Sequence, residues 1–193
     1  MKKIDGKGRV IWFTGLPGSG KSSIARGFAS SLEKAGESVV YLQMDAQRKK
    51  YFPLPTYSSE ERAKAYSLFG EEAAELTDKF RVVVLDGTAP RLSMREYARK
   101  ICPVFAEIFV KCSLDTAMNR EAARPEGLVM AGLYEKALLR KRTGEQFAGL
   151  GQVIGVDIEF EEDPDAECII ENERGTLDNA IQQTLDFYRS WTQ

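Results

Sequence analysis

The chain has 193 residues, enough for one domain with a substantial core, and its 43% hydrophobic and 29% charged content is ordinary globular composition. A net charge of −2 argues against broad nucleic-acid or anionic-membrane binding. There is no histidine, so a general base must come from a carboxylate or, failing that, Lys, Tyr or water. The three cysteines, Cys102, Cys112 and Cys168, are isolated, with no metal or redox spacing, which predicts reduced thiols in a cytoplasmic protein. Met1-Lys2-Lys3 is basic, but the apolar run behind it is too short for a signal peptide, and no transmembrane run follows.

A first strand is predicted over Arg9–Phe13, running into Gly15-Leu16-Pro17-Gly18-Ser19-Gly20-Lys21-Ser22. This fits G-x-x-x-x-G-K-[ST], the P-loop. Glycines let successive N–H groups point into one concavity, and the next helix offers its positive end to the same anion. Lys21 adds a mobile charge for the β- and γ-phosphates, and the Ser22 hydroxyl suits Mg²⁺. Gly15, Pro17, Gly18, Ser19, Gly20, Lys21, Ser22 and Ser23 are therefore the candidate ATP-binding residues. Ile24, Ala25, Phe28, Ala29 and Leu32 form the apolar stripe of the helix, which Gly36 ends.

Ser38–Leu42 reads as a second strand, with Gln43-Met44-Asp45 at its carboxyl end, where open parallel sheets bind ligands. Tyr51–Tyr57, with Pro53 and Pro55, is a loop, and a helix runs from Ser58 or Ser59 to about Lys79. Arg81–Leu85 is a third strand ending at Asp86-Gly87. A helix over Ser93–Ile101, a strand over Glu107–Cys112 and a helix over Leu114–Arg124 follow. A basic helix spans about Tyr134–Arg142, and Gly144–Gly155 is glycine-rich and predicted mobile. Glu167–Glu171 is a fifth strand and Leu177–Trp191 a closing helix. The alternation predicts an α/β fold: a P-loop nucleoside-triphosphate-hydrolase-type parallel sheet of about five strands flanked by helices. The whole chain, 1–193, reads as one kinase domain with a lid over about 125–160.

Several features favour a kinase over other P-loop proteins. The chain is short and has no N-K-x-D guanine-reading motif. Asp45 and Arg48 follow the second strand, where an acceptor meets the γ-phosphate. The cations Arg120, Arg124, Lys136, Arg140, Lys141 and Arg142 lie where a lid would close and neutralise the transferring group. Lys21 and Asp45 are the candidate catalytic residues. Asp86, after Val82-Val83-Val84-Leu85, resembles a Walker-B acid and either holds a magnesium-bound water or caps the following turn.

These segments together resemble the adenylylsulfate kinase family. Trp12-Phe13-Thr14-Gly15-Leu16 is similar to its W-x-T-G-L opening, and Leu42–Arg48 to L-D-G-D-x-x-R. Tyr57–Arg62 is similar to F-S-x-x-D-R, and Pro90 falls on the proline of S-P-Y-R. Gly132–Ala137 resembles G-L-Y-K-K-A, and Gly155-Val156-Asp157 with Phe160-Glu161 resembles G-I-D-x-P-[YF]-E. The resemblance implies an ATP- and Mg²⁺-dependent kinase acting on the 3′-hydroxyl of adenosine 5′-phosphosulfate (APS). It places Asp45 at the acceptor hydroxyl, Arg48 and Arg62 at the anionic group, Lys136 in the lid, and Tyr57 and Phe160 around the adenine. It also implies a small, anionic, nucleotide-like substrate and a possible homodimer. The chain departs from the pattern at Gln43 (aspartate), Met44 (glycine), Ala65 (asparagine), Leu92 (arginine, with Arg91 one place earlier) and Glu135 (lysine). Gly127–Ala131 add length before the lid. These departures bear on the acceptor. They leave open a different small anionic acceptor on the same fold, or a catalytically silent nucleotide binder.

Overall fold

Strands that are apolar on both sides, alternating with helices, bury their surface only as a parallel sheet covered on both faces. A computed structural model, which describes residues 8–123 and 132–193, has this architecture. Strands β1 (Arg9–Thr14), β2 (Val39–Gln43), β3 (Val82–Asp86), β4 (Phe105–Lys111) and β5 (Cys168–Glu171) lie in the order β2-β3-β1-β4-β5. Every neighbouring pair is parallel. β1 is thus the central strand, and the P-loop leaves from its carboxyl end.

Alternate residues of each strand feed opposite layers. Ile11, Phe13, Val82 and Val84 pack under α1 (Lys21–Lys34) and α7 (Leu177–Trp191). Val10, Trp12, Val83 and Leu85 pack under α3 (Ser59–Leu76) and α4 (Leu92–Ile101). Trp12 is fully buried, edge-on to Phe69, and its indole N–H donates to the Gly87 carbonyl at 2.9 Å. A third cluster joins α5 (Leu114–Ala122) and α6 (Leu133–Thr143), with Leu150, Val153 and Leu16. Ser58, Ser113 and Thr176 cap their helices by accepting from the N–H three residues on.

The predicted elements fall within a few residues of the observed ones, and α7 coincides. One helix is absent from the prediction: α2 (Met44–Tyr51) begins directly at the end of β2. Its N-cap, Gln43, makes no side-chain cap, and its short span carries little apolar periodicity, so neither sequence signal was present. Arg124 and the Gly127–Ala131 extension lie outside the described residues. Among the described residues no helix is long and apolar enough to cross a membrane.

The sheet also buries a charge. Glu107, in β4, is inaccessible to solvent and accepts from the Thr14 hydroxyl at 2.6 Å. Arg95 Nε lies 3.3 Å from Glu107 Oε2, an ion pair not aligned well enough to be a hydrogen bond. Burial pushes the Glu107 carboxyl up from 4.5 to about 7, with Arg95 pulling the other way. Between those values the folded chain holds a proton that the unfolded chain has released, so this group's contribution to stability falls as pH rises. Thermal melts across pH 4.5 to 7 are expected to show a smaller pH-dependent fall for Glu107→Gln than for the wild type. Equal slopes would mean that Glu107 does not titrate in this window.

Candidate active site

The phosphate cradle is built by the turn between β1 and α1. Gly18 and Gly20 have φ of +88° and +96°. A Cβ on Gly18 would stand 2.1 Å from the Ala117 carbonyl oxygen, so only glycine fits there. Gly20 occupies the N-cap of α1 and supplies no side-chain acceptor. In the first turn of α1 the Lys21 N–H donates to the Ser19 hydroxyl at 3.4 Å and the Ser23 N–H to the Gly20 carbonyl at 3.1 Å, and the positive end of the helix dipole favours an anion at this turn. Lys21 Nζ is 3.4 Å from the Leu16 carbonyl, at the mouth of the same turn.

With N–H groups turned inward, the loop's carbonyls need donors from outside. Tyr134 donates to Pro17 at 2.8 Å, and Asn172 Nδ2 to Ser19 at 2.7 Å. Arg120 donates to the carbonyls of Ser19 (3.4 Å), Asn172 (2.7 Å) and Glu173 (3.3 Å). This corrects the expectation for Arg120. It is a brace behind the P-loop rather than a cation that swings in with a lid. Arg140 is similarly engaged, donating to Leu150 (2.9 Å), Gly151 (3.1 Å) and Asp157 (2.6 Å). The glycine-rich segment predicted to be mobile is tied down by that guanidinium, and its Leu150 and Val153 are buried.

Asp86 is buried at the end of β3. The Ser22 hydroxyl donates to its Oδ1 at 3.1 Å, and the Tyr41 phenol donates to its Oδ2 at 2.6 Å. Burial and the Asp86 carboxylate push the Tyr41 phenol up, so it stays a donor. The Ser22–Asp86 contact places Asp86 beside the P-loop helix instead of on the following turn. Two hard oxygen ligands side by side fit Mg²⁺. Tyr41 was not among the predicted residues. Its signal was its position two before Gln43, on the same face of the strand.

Asp45 stands in the first turn of α2, half-buried. Burial holds its carboxyl above the usual range. The charges of Lys21 and Arg48 oppose this, and that of Asp86 adds to it. Asp45 thus shares one electrostatic neighbourhood with the P-loop lysine and the β3 acid. Arg48, one turn along α2, is 5% exposed and pairs with Glu61 of α3 at 3.1 Å. Its guanidinium also lies over the Tyr57 ring, 5.2 Å from the centroid. Arg62, 6% exposed, donates to the Gln152 carbonyl at 2.8 Å. Arg48 Nε and one terminal nitrogen of Arg62 are buried yet find no acceptor among the described residues. Buried N–H groups of a cation left this way are costly unless a ligand supplies the acceptor.

Phe160 stacks on Phe109, with centroids 5.4 Å apart and planes at 26°, and Arg95 lies 5.1 Å from its centroid. It lines a cavity of about 640 Å³ that also contains Leu16, Leu114 and Val156. Tyr57 and Phe160 each have their own neighbours: Arg48 and Gly151 for one, Phe109 and Arg95 for the other. Arg91 pairs with Glu161 at 2.6 Å, and Glu161 also accepts from the Leu92 N–H at 2.7 Å. Met44 and Ala65, both departures from the family pattern, are buried together in the apolar layer under α3. Lys136 lies on α6.

A P-loop on the central strand, facing an acid and two buried arginines on the α2–α3 side, defines a small-molecule P-loop kinase. The adenylylsulphate kinase family profile matches residues 7–171. The probable adenylyl-sulfate kinase of Archaeoglobus fulgidus is 31% identical over 165 residues, covering 86% of this chain and 96% of that one. The adenylyl-sulfate kinase of Oceanobacillus iheyensis is 29% identical over 185 residues, covering 95% and 85%. The solved structure of the Mycobacterium tuberculosis APS kinase CysC in complex with AMPPNP and APS superposes with a TM-score of 0.78 at 26% identity, covering 95% and 98%. The chain belongs to the adenylylsulphate kinase family.

The brace behind the P-loop makes a testable demand. Arg120→Leu leaves the Asn172 and Glu173 carbonyls short of a donor and the Ser19 carbonyl with Asn172 alone, and is expected to weaken ATP binding by about tenfold or more. Isothermal titration with ATP checks this, and unchanged affinity would remove Arg120 from the cradle.

Proposed function

We propose that this chain is an ATP-dependent kinase that transfers the γ-phosphate to the 3′-hydroxyl of adenosine 5′-phosphosulfate. The observation that carries the reading is the pair of buried, part-satisfied guanidiniums of Arg48 and Arg62, neighbours of one another, with Arg48 also beside Asp45. A phosphosulfate offers the acceptor oxygens that those N–H groups lack, and a planar guanidinium binds such oxygens well.

The remaining roles follow from position. The N–H groups of Gly18 to Ser22 and the Lys21 ammonium hold the donor's β- and γ-phosphates. Ser22 and Asp86 would hold Mg²⁺, which when bound offsets charge on those phosphates. Asp45 accepts a hydrogen bond from the attacking hydroxyl and takes its proton. Its raised carboxyl makes it a better proton acceptor than an ordinary aspartate. In a chain without histidine this work falls to a carboxylate. Tyr57 and Phe160 supply ring faces for the adenine, each worth about 1–3 kcal/mol if stacked. Lys136 approaches from α6, in the lid over about 125–160. We place the reaction in the cytoplasm, where free cysteines such as Cys102, Cys112 and Cys168 stay reduced.

An ADP-release assay with Mg·ATP and APS tests this. Saturable turnover is expected, abolished in Lys21→Ala. Asp45→Asn should lower kcat by about a hundredfold or more, as for removal of a general base. Arg48→Met should instead raise KM for APS by about tenfold or more while ATP affinity holds. ATP binding without APS turnover would overturn the acceptor assignment.

A further inference from the structure

The helix that carries Asp45 and Arg48 is held in place by polar side chains. α2 has eight residues and no side-chain N-cap, and the side chains it buries are Met44, Gln47 and Arg48. A helix of that length has little stability of its own and takes its place from what it packs on. α2 packs on α3, where two carboxylates meet it. Glu61 pairs with Arg48 at 3.1 Å. Glu72, about three turns further along α3, takes two more side chains. The Gln47 amide nitrogen donates to Glu72 Oε1 at 2.8 Å, and the Tyr51 hydroxyl donates to Glu72 Oε2.

Gln47 and Tyr51 stand one turn apart on the same face of α2, and each fills one oxygen of the carboxylate. Gln47 is 2% exposed, and Tyr51 packs against the apolar layer under α3. Burial and the bond to Glu72 push the Tyr51 phenol up, which keeps it a donor. An ionised carboxylate only accepts, so Gln47 has to present its amide nitrogen to Glu72. Its amide oxygen is then left buried without a donor among the described residues. An apolar contact would avoid that cost but would let a short helix roll or slide. Hydrogen bonds to a charged acceptor are strong and directional, and they fix one register.

We infer that Glu72 is a positioning residue of the acceptor side: by clasping Gln47 and Tyr51 it fixes α2 against α3, and through α2 it sets where the Asp45 carboxylate and the Arg48 guanidinium stand. Asp45 precedes Gln47 by two residues and Arg48 follows it directly, so a shift of Gln47 moves both. Glu61 holds α2 by one long side chain, whereas Glu72 holds it at two points a turn apart, which fixes its roll. The inference rests on reading Asp45 as the proton acceptor and Arg48 as the anion grip.

Amide hydrogen exchange of the full chain reads the seat of α2 with no acceptor present. In Glu72→Leu both donors lose their acceptor, and the amides of Arg48–Phe52 are expected to exchange about tenfold faster or more while those of α1 keep the wild-type rate. Unchanged exchange in α2, or equal acceleration in α1, would overturn the inference. Should Glu72→Leu not fold, Tyr51→Phe decides, since it keeps the carboxylate and removes one hydroxyl: about threefold faster exchange confined to α2 is expected, and wild-type exchange there would overturn the clasp. Turnover reads the consequence. With APS, Glu72→Leu should lower kcat by about tenfold while ATP affinity holds. The same substitution made in Asp45→Asn should cost less than about twofold, because residues that act through one another are not additive. A full tenfold loss in the Asp45→Asn background would mean that Glu72 does not act through Asp45. The exchange comparison needs no substrate, so it decides the clasp even where APS is not turned over, and the two readings can fail separately.

Discussion

The inward turn of the backbone N–H groups between β1 and α1 is the constraint to which the rest of the structure answers. A peptide whose N–H points into the phosphate cradle points its carbonyl outward, and an outward carbonyl under packed elements needs a donor. Three donors arrive from three parts of the chain: Tyr134 from α6, Asn172 from the end of β5, and Arg120 from α5. The glycines permit the close approach that this requires, with Gly18 against Ala117 and Gly20 against Asn172. The order of the sheet serves the same end. β4 and β5 bring α5 and Asn172 to one side of the loop, and β3 and β2 bring the acids to the other.

A second buried network links the core to the acceptor side. Arg95 spans from Glu107, inside the sheet, to the carbonyls of Ala89 and Glu161, and its guanidinium rests near the Phe160 ring. Glu161 is pinned again by Arg91 and the Leu92 N–H, and its own N–H donates to the Pro90 carbonyl. The segment carrying Phe160 therefore takes its position from a charge in the centre of the sheet. Burying such a pair gains little net stability, because desolvation offsets attraction. What it supplies, together with the stacking of Phe160 on Phe109, is a defined place for an aromatic residue in an acidic run.

Much of this could be read from residue types. Apolar runs of strand length identified all five strands, and Gly36 and Ser58 marked the end of α1 and the start of α3. The P-loop is legible because its glycines, lysine and serine are each dictated by local chemistry. What escaped was non-local. The role of Arg120 depends on carbonyls at positions 19, 172 and 173, which no local pattern links. Tyr41 reads as one more strand aromatic until β3 is laid beside β2. α2 escaped because a short polar helix lacking a side-chain cap resembles a loop. The family resemblance supplied roles for Arg48 and Arg62, but their unpaired buried nitrogens are visible only in three dimensions.

The arrangement also explains how donor and acceptor ends stay aligned without a histidine or a rigid acceptor loop. Asp45 and Arg48 lie one turn apart on α2, so they share a face and move as one body. Arg48 is locked to Glu61, and Glu61 also accepts from the Thr56 and Tyr57 N–H groups, which fastens the Tyr57 loop to α3. The α2 helix that carries Asp45 and Arg48 and the loop that carries Tyr57 are thereby coupled through a single carboxylate. On the donor side, Ser22 and Asp86 join α1 to β3. The two units meet where β2 passes into α2, at Gln43, the register partner of Asp86 and the N-cap of the helix that carries Asp45. In the reaction proposed above, the approach of hydroxyl to γ-phosphate would therefore depend on the pairing of β2 with β3. That dependence suits a reaction in which alignment and charge, not covalent chemistry, do most of the work.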